Sequence, residues 1–103
     1  SRTKENGGIN MAKVAENLGV AVQGSDYTVV KKAGKKGEAV EKHDHPEANV
    51  LFTVVKGHME VTIGDKDVFN VVPGQILSFD GSNTISAKFV EDSEFFVTLI
   101  LKR

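Results

Sequence analysis

Residues 37–57 read GEAVEKHDHPEANVLFTVVKG. Glu38 to His45 reads as a strand ended by Pro46, which offers no N–H to a ladder. His43 and His45 stand two residues apart within it. Strand side chains alternate with a period of two, so both imidazoles are expected on one face. Ala48 to Lys56 reads as the next strand and is apolar on both faces. Val50, Phe52 and Val54 form one face, and Leu51, Thr53 and Val55 the other. Such a strand lies between two packed layers, or between the core and a partner subunit. Gly57 turns the chain at its end.

Working outward, β-branched and aromatic residues dominate, with turn residues between the runs. Tyr27 to Lys32 precedes the central stretch as a strand, and Ala33 to Gly37 is an exposed turn. Lys31, Lys32, Lys35 and Lys36 suit a solvated loop and a lysine-guarded sheet edge better than a phosphate site. Downstream, His58 to Gly64 alternates, with Met59, Val61 and Ile63 inward and His58 on the surface. Gly64-Asp65 is a tight turn into Asp67 to Val72. Ile76 to Phe79, Thr84 to Val90 and Phe95 to Leu101 complete about eight short strands, the pattern of a sandwich or barrel. Upstream, Asn10 to Leu18 has helical spacing of Met11, Val14, Ala15 and Leu18, with Asn10 as N-cap and Gly19 as stop. The expected organisation is an N-terminal extension over 1–19 and one barrel domain over 20–103.

Composition narrows the function classes. The 103 residues suit one domain with one core. The 13 basic and 14 acidic residues leave a net charge of −1, which gives no general attraction to nucleic acid or anionic membrane. There are no cysteines, so disulfides, thiolate metal sites and cysteine nucleophiles are excluded. The same absence fits a reducing, cytoplasmic location. No apolar run approaches the roughly 18 residues of a membrane span, and Ser1 to Gly8 lacks a signal-peptide core.

Gly37, His43, His45 and Gly57 resemble the first motif of the cupin family, Gly-x5-His-x-His-x(3,4)-Glu-x6-Gly. The glutamate is absent: Val50 or Asn49 stands there, depending on spacing. Gly74 fits the start of the second motif, Gly-x5-Pro-x-Gly-x2-His-x3-Asn. Asp80 then replaces proline, Ser82 glycine, Ile85 histidine and Phe89 asparagine. The resemblance implies an all-β double-stranded β-helix, or jelly-roll barrel, with a short N-terminal helix or extension. It also implies a metal site that has kept two of its four ligands.

The residues bound what that site could do. Imidazole and carboxylate together suit Zn, Ni, Fe or Mn. Glu47 shares the parity of the pair if the strand continues, but Pro46 argues against continuation. Asn49 offers a neutral amide oxygen. Glu41 has the same parity and could orient an imidazole. Asp44 has the opposite parity, and the single tyrosine, Tyr27, reads as a strand residue. The expectation is a weakly bound divalent metal on His43 and His45, with Glu47 or Asn49 as third ligand, or no metal at all. The favoured function is a non-catalytic or sensory small-molecule-binding barrel, its mouth lined by His43, His45, Val50, Phe52 and Ile85. The alternative is a metal-dependent cupin enzyme, an oxygenase or a sugar-modifying isomerase. A homodimer is the expected assembly.

Overall fold

The computed structural model describes residues 12–103, which form nine strands. These are β1 (Gly19–Gln23), β2 (Tyr27–Gly34), β3 (Ala39–His43), β4 (Ala48–Lys56), β5 (Met59–Ile63), β6 (Asp67–Val71), β7 (Ile76–Asp80), β8 (Ile85–Phe89) and β9 (Ser93–Leu101). They make two antiparallel sheets, one ordered β1-β2-β9-β4-β7 and the other β3-β8-β5-β6. All eight expected strands are present.

Alternation of apolar side chains places the core. On β4, Ala48, Val50, Phe52 and Val54 are buried, while Asn49 and Val55 are exposed. Met59 and Val61 of β5, Ile85, Ala87 and Phe89 of β8, and Phe95 of β9 meet Phe52 and Val54 between the sheets. Phe52 and Phe95 stack with centroids 4.3 Å apart. The second apolar face of β4 and β9 is the outside of the five-stranded sheet. There Thr53 pairs with Phe96, and Leu51 with Thr98. Gly57 makes the sharp exit from β4: its φ is 87°, and a Cβ would collide with Ser93 and the Asp92 carbonyl. Ser93 is buried, and its hydroxyl bonds to the main chain of His58 and Glu91.

Two N-terminal details differ from expectation. Asn10 and Met11 lie outside the described residues, and residues 12–18 form no helix. Val14 of the apolar stripe is 95% exposed, and a helix this short does not hold without packing. The second is β1, a strand on the sheet edge that the sequence does not announce. Its one inward side chain is Ala21, and a bulge between Val20 and Val22 interrupts its pairing with β2.

The two sheets do not close equally on both sides. β6 and β7 approach each other across one side. On the other, β2 and β3 belong to different sheets and share no ladder. The sandwich opens between them.

Candidate functional site

A cleft of about 1100 Å³ enters between β2 and β3. Its floor is made of buried side chains, Val50 and Phe52 of β4, Ile85 and Phe89 of β8, and Phe95 of β9. Half-buried Val30, Val40, Val97 and Leu99 form its walls. Its rim carries Lys32, Glu38, Glu41, Lys42, His43 and His45. The five residues singled out in the sequence as a barrel mouth thus line one cleft. The sequence reading misses the contributions of β9 and Val40. The alternation of Phe95, Val97 and Leu99, in register with Val54, Phe52 and Val50, is the signal that could have found them.

His43 reaches the cleft by way of a β-bulge. Val40 pairs with Ala87 and His43 with Ile85, both inward positions of β8, and the register shifts between them. Residues three apart thereby share a face, which a regular strand forbids. The same bulge takes Glu41 out of simple parity with His43. Glu41 does orient the imidazole, but through its main-chain carbonyl, 2.7 Å from Nδ1 of His43. A carbonyl only accepts, so Nδ1 carries the proton, and the neutral ring keeps its lone pair on Nε2.

His45 lies past the end of β3, beside the turn at Pro46 and Glu47. Its main chain is pinned. His45 N–H donates to the Gly81 carbonyl at 2.7 Å, Ala48 N–H to the His45 carbonyl at 3.0 Å, and Gly81 N–H to the Ala48 carbonyl at 2.9 Å. A Cβ at Gly81 would strike the carbonyl oxygens of His45 and Ala48, so only glycine fits this approach. The two imidazoles meet edge to face, centroids 4.9 Å apart at 85°.

The other candidates fall around this pair. Asn49 alternates with buried Ala48 and Val50 and is exposed on the opposite face of β4, away from the cleft. Glu47 does not continue the strand, because the chain turns at Pro46, yet its carboxylate lies 3.8 Å from Nδ1 of His45. The carboxylate therefore sits beside one imidazole of the pair, in contact with His45. Among the described residues, no three His, Asp or Glu side chains form a group that could hold a metal ion. The donors present therefore do not match the ligand set that the motifs imply. Val50 and Ile85, which stand in the places of the missing glutamate and histidine, are 2% and 5% exposed and present only methyl groups.

The second-motif region is a structural turn. Asp80 accepts from Lys102 Nζ at 2.6 Å, Ser82 N–H at 2.9 Å and Ser82 Oγ at 2.5 Å. The hydrogen bond from Lys102, then those from Ser82, hold its carboxyl well below the usual carboxylate range. Around the lysine-rich turn, Lys31 pairs with Glu94 at 3.3 Å. The Lys35 and Lys36 N–H groups donate to the Glu38 and Asp92 carboxylates. His58 bonds Asn70 through Nε2 at 2.8 Å.

The architecture is shared with solved structures. An RmlC-like cupin protein from Desulfovibrio desulfuricans is similar at a TM-score of 0.74 and 18% identity, over 96% of this chain and 97% of that one. This chain has a cupin fold. KdgF from Halomonas sp. is similar at 0.74 and 19%, over 92% of each chain. A conserved Klebsiella pneumoniae protein with a double-stranded β-helix domain is similar at 0.74 and 21%, over 91% of this chain and 81% of that one. No protein-family model and no curated protein matches the sequence. At these identities the shared property of the cupin structures is the fold.

Proposed function

We propose that this cupin-fold barrel is a non-catalytic or sensory module that binds a small molecule in the cleft between β2 and β3. The observation that carries this reading is the wall facing the histidines. Buried Val50 and Ile85 occupy the positions where the motifs require ligands, so the pair borders an apolar cavity rather than a coordination sphere. Ligand sites are concave and mostly apolar with few polar groups, which describes this cleft. The cysteine-free chain suits a reducing, cytoplasmic setting.

The test is metal analysis of untagged protein alongside a thermal-shift screen of small molecules. Less than stoichiometric first-row metal, with stabilisation by some organic compounds, is expected. One bound metal per chain would reverse the reading in favour of a metal-dependent enzyme.

We also propose a homodimer. Leu51, Val55, Phe96 and Ile100 share the outer face of the five-stranded sheet, with Val55 45% and Ile100 37% exposed. Thr53, Thr98 and Lys31, whose ammonium lies over the Phe96 ring, intersperse these apolar side chains, and such part-exposed apolar surface suits burial against a second copy. Light scattering at micromolar concentration should give twice the chain mass, and a monomer mass would refute the assembly.

A further inference from the structure

The chemistry of the cleft narrows what it can hold. Nδ1 of His43 donates to the Glu41 carbonyl. Among the described residues no group bonds to its Nε2. A neutral His43 therefore offers the cleft an acceptor, not a donor.

Part of the charge at the rim is paired within the protein: Lys42 with Asp65 and Lys31 with Glu94. The rim side chains without an ion pair among the described residues, Lys32, Glu38 and Glu41, carry both signs, and the Lys35 N–H already takes one carboxylate oxygen of Glu38. Nothing here selects an ion. An anion brought to Nε2 would set lone pair against lone pair.

The floor is aromatic. Phe52 stacks on Phe95 at 4.3 Å, and Phe89 lies 5.9 Å from Phe95. Such a floor favours a ring, which adds edge and face contacts to simple apolar burial. The 1100 Å³ of the cleft leaves room for an alkyl chain beyond that ring.

We infer that the cleft takes a neutral alkyl-substituted phenol, its ring over the phenylalanine floor and its O–H donating to Nε2 of His43. This rests on the reading of the cleft as a ligand site.

The test is calorimetric titration of the full chain at pH 8 with three matched probes. These are 4-butylphenol, 4-butylanisole and 4-butylbenzoate. They share ring and tail and differ in offering a donor, no donor, or a charge. The phenol should bind about 10-fold more tightly than either of the others, the size expected for one hydrogen bond. His43→Ala should remove that preference while leaving anisole binding unchanged. His43→Gln, whose amide oxygen can still accept, should keep part of it. If His43→Ala does not fold, the three probes on the wild-type chain decide alone. Equal binding of phenol and anisole would overturn the inference and leave the ligand-site reading standing. Tightest binding of the benzoate would do the same. If none of the three binds at millimolar concentration, the inference fails, and the ligand-site reading is decided separately by the thermal-shift screen.

Discussion

Val50 and Val54 are four residues apart on one face of β4 and almost equally buried, at 2% and 0% exposure, yet they meet different surroundings. Val54 belongs to the closed half, packed with Met59, Val61 and Phe95 between two sheets that meet. Val50 belongs to the open half and looks onto the cleft. An alternating pattern says which side chains leave water. It does not say whether they then pack against neighbours or line a void. That difference separates the part of the molecule that holds the fold from the part that can hold a ligand.

The largest effect should come from emptying the closed half. Met59 is fully buried and lies outside the cleft. Met59→Ala removes apolar contacts and leaves a hole that the two sheets cannot easily close, at a cost of roughly 2–5 kcal/mol. Urea unfolding measures it. A loss below that range would mean that this half collapses freely and is not the stable one.

Next comes a rebuilt ligand set in the open half. Val50→Glu with Ile85→His puts a carboxylate and a third imidazole where the motifs expect them. Ile85 is the direct cross-strand neighbour of His43, and Val50 lines the same cleft. Without metal, each unpaired polar group should cost roughly 1–3 kcal/mol. With Zn or Ni, stability should return through binding to the folded state. Affinity should rise by at least the ~10- to 100-fold that outer groups alone achieve. Calorimetry on wild type, both single variants and the double variant would decide. A folded double variant that binds metal no better than wild type would show that these positions do not face the histidines.

A smaller effect tests the comparison directly. Val54→Ala and Val50→Ala delete the same atoms from the same face of one strand. The first opens a new cavity, whereas the second only enlarges an existing one. Val54→Ala should be the more damaging by roughly 1 kcal/mol, the size of a cavity contribution for so small a side chain. Equal losses in urea would erase the distinction between the halves.

These halves also differ in how legible each is in the sequence. The closed half can be read from local alternation: Met59, Val61 and Ile63 alternate inward, and the structure buries the first two completely. In the open half, geometry depends on exceptions to alternation. The bulge before His43 breaks the parity that links it to Glu41, and a main-chain carbonyl takes the role expected of a carboxylate. His45 joins His43 although β3 has already ended, because Gly81 pins its main chain from across the sheets. Such contacts arise between distant segments and leave no periodic trace. The N-terminal helix fails for a related reason. Helical spacing alone does not suffice: Val14 is 95% exposed, and Leu18 borders the cleft from a chain that is not helical.

The smallest expected effect concerns the anchor of that pinning turn. Asp80 ends β7, directly before Gly81, and is bound by Lys102 and Ser82. Its carboxyl is held below the ordinary aspartate value of 3.8, chiefly by the hydrogen bond from Lys102. The folded state therefore resists a proton that the unfolded chain accepts. The stabilisation is present above the ordinary value. It is lost as pH falls below about 4 towards the lower folded value. The pair is exposed, which keeps the effect small through solvent screening. Asp80→Asn keeps an acceptor but removes the charge. It should be slightly less stable than wild type at pH 7, with the gap narrowing steadily below pH 4. Paired urea midpoints at pH 7 and pH 2 measure the change. The His45 amide should meanwhile exchange faster in the variant at pH 7, as the Gly81 turn loosens, while the amides of β5 hold their protection. A constant stability gap across pH would show that the charge of Asp80 carries nothing. Unchanged exchange at His45 would show that the turn holds the open half without its anchor.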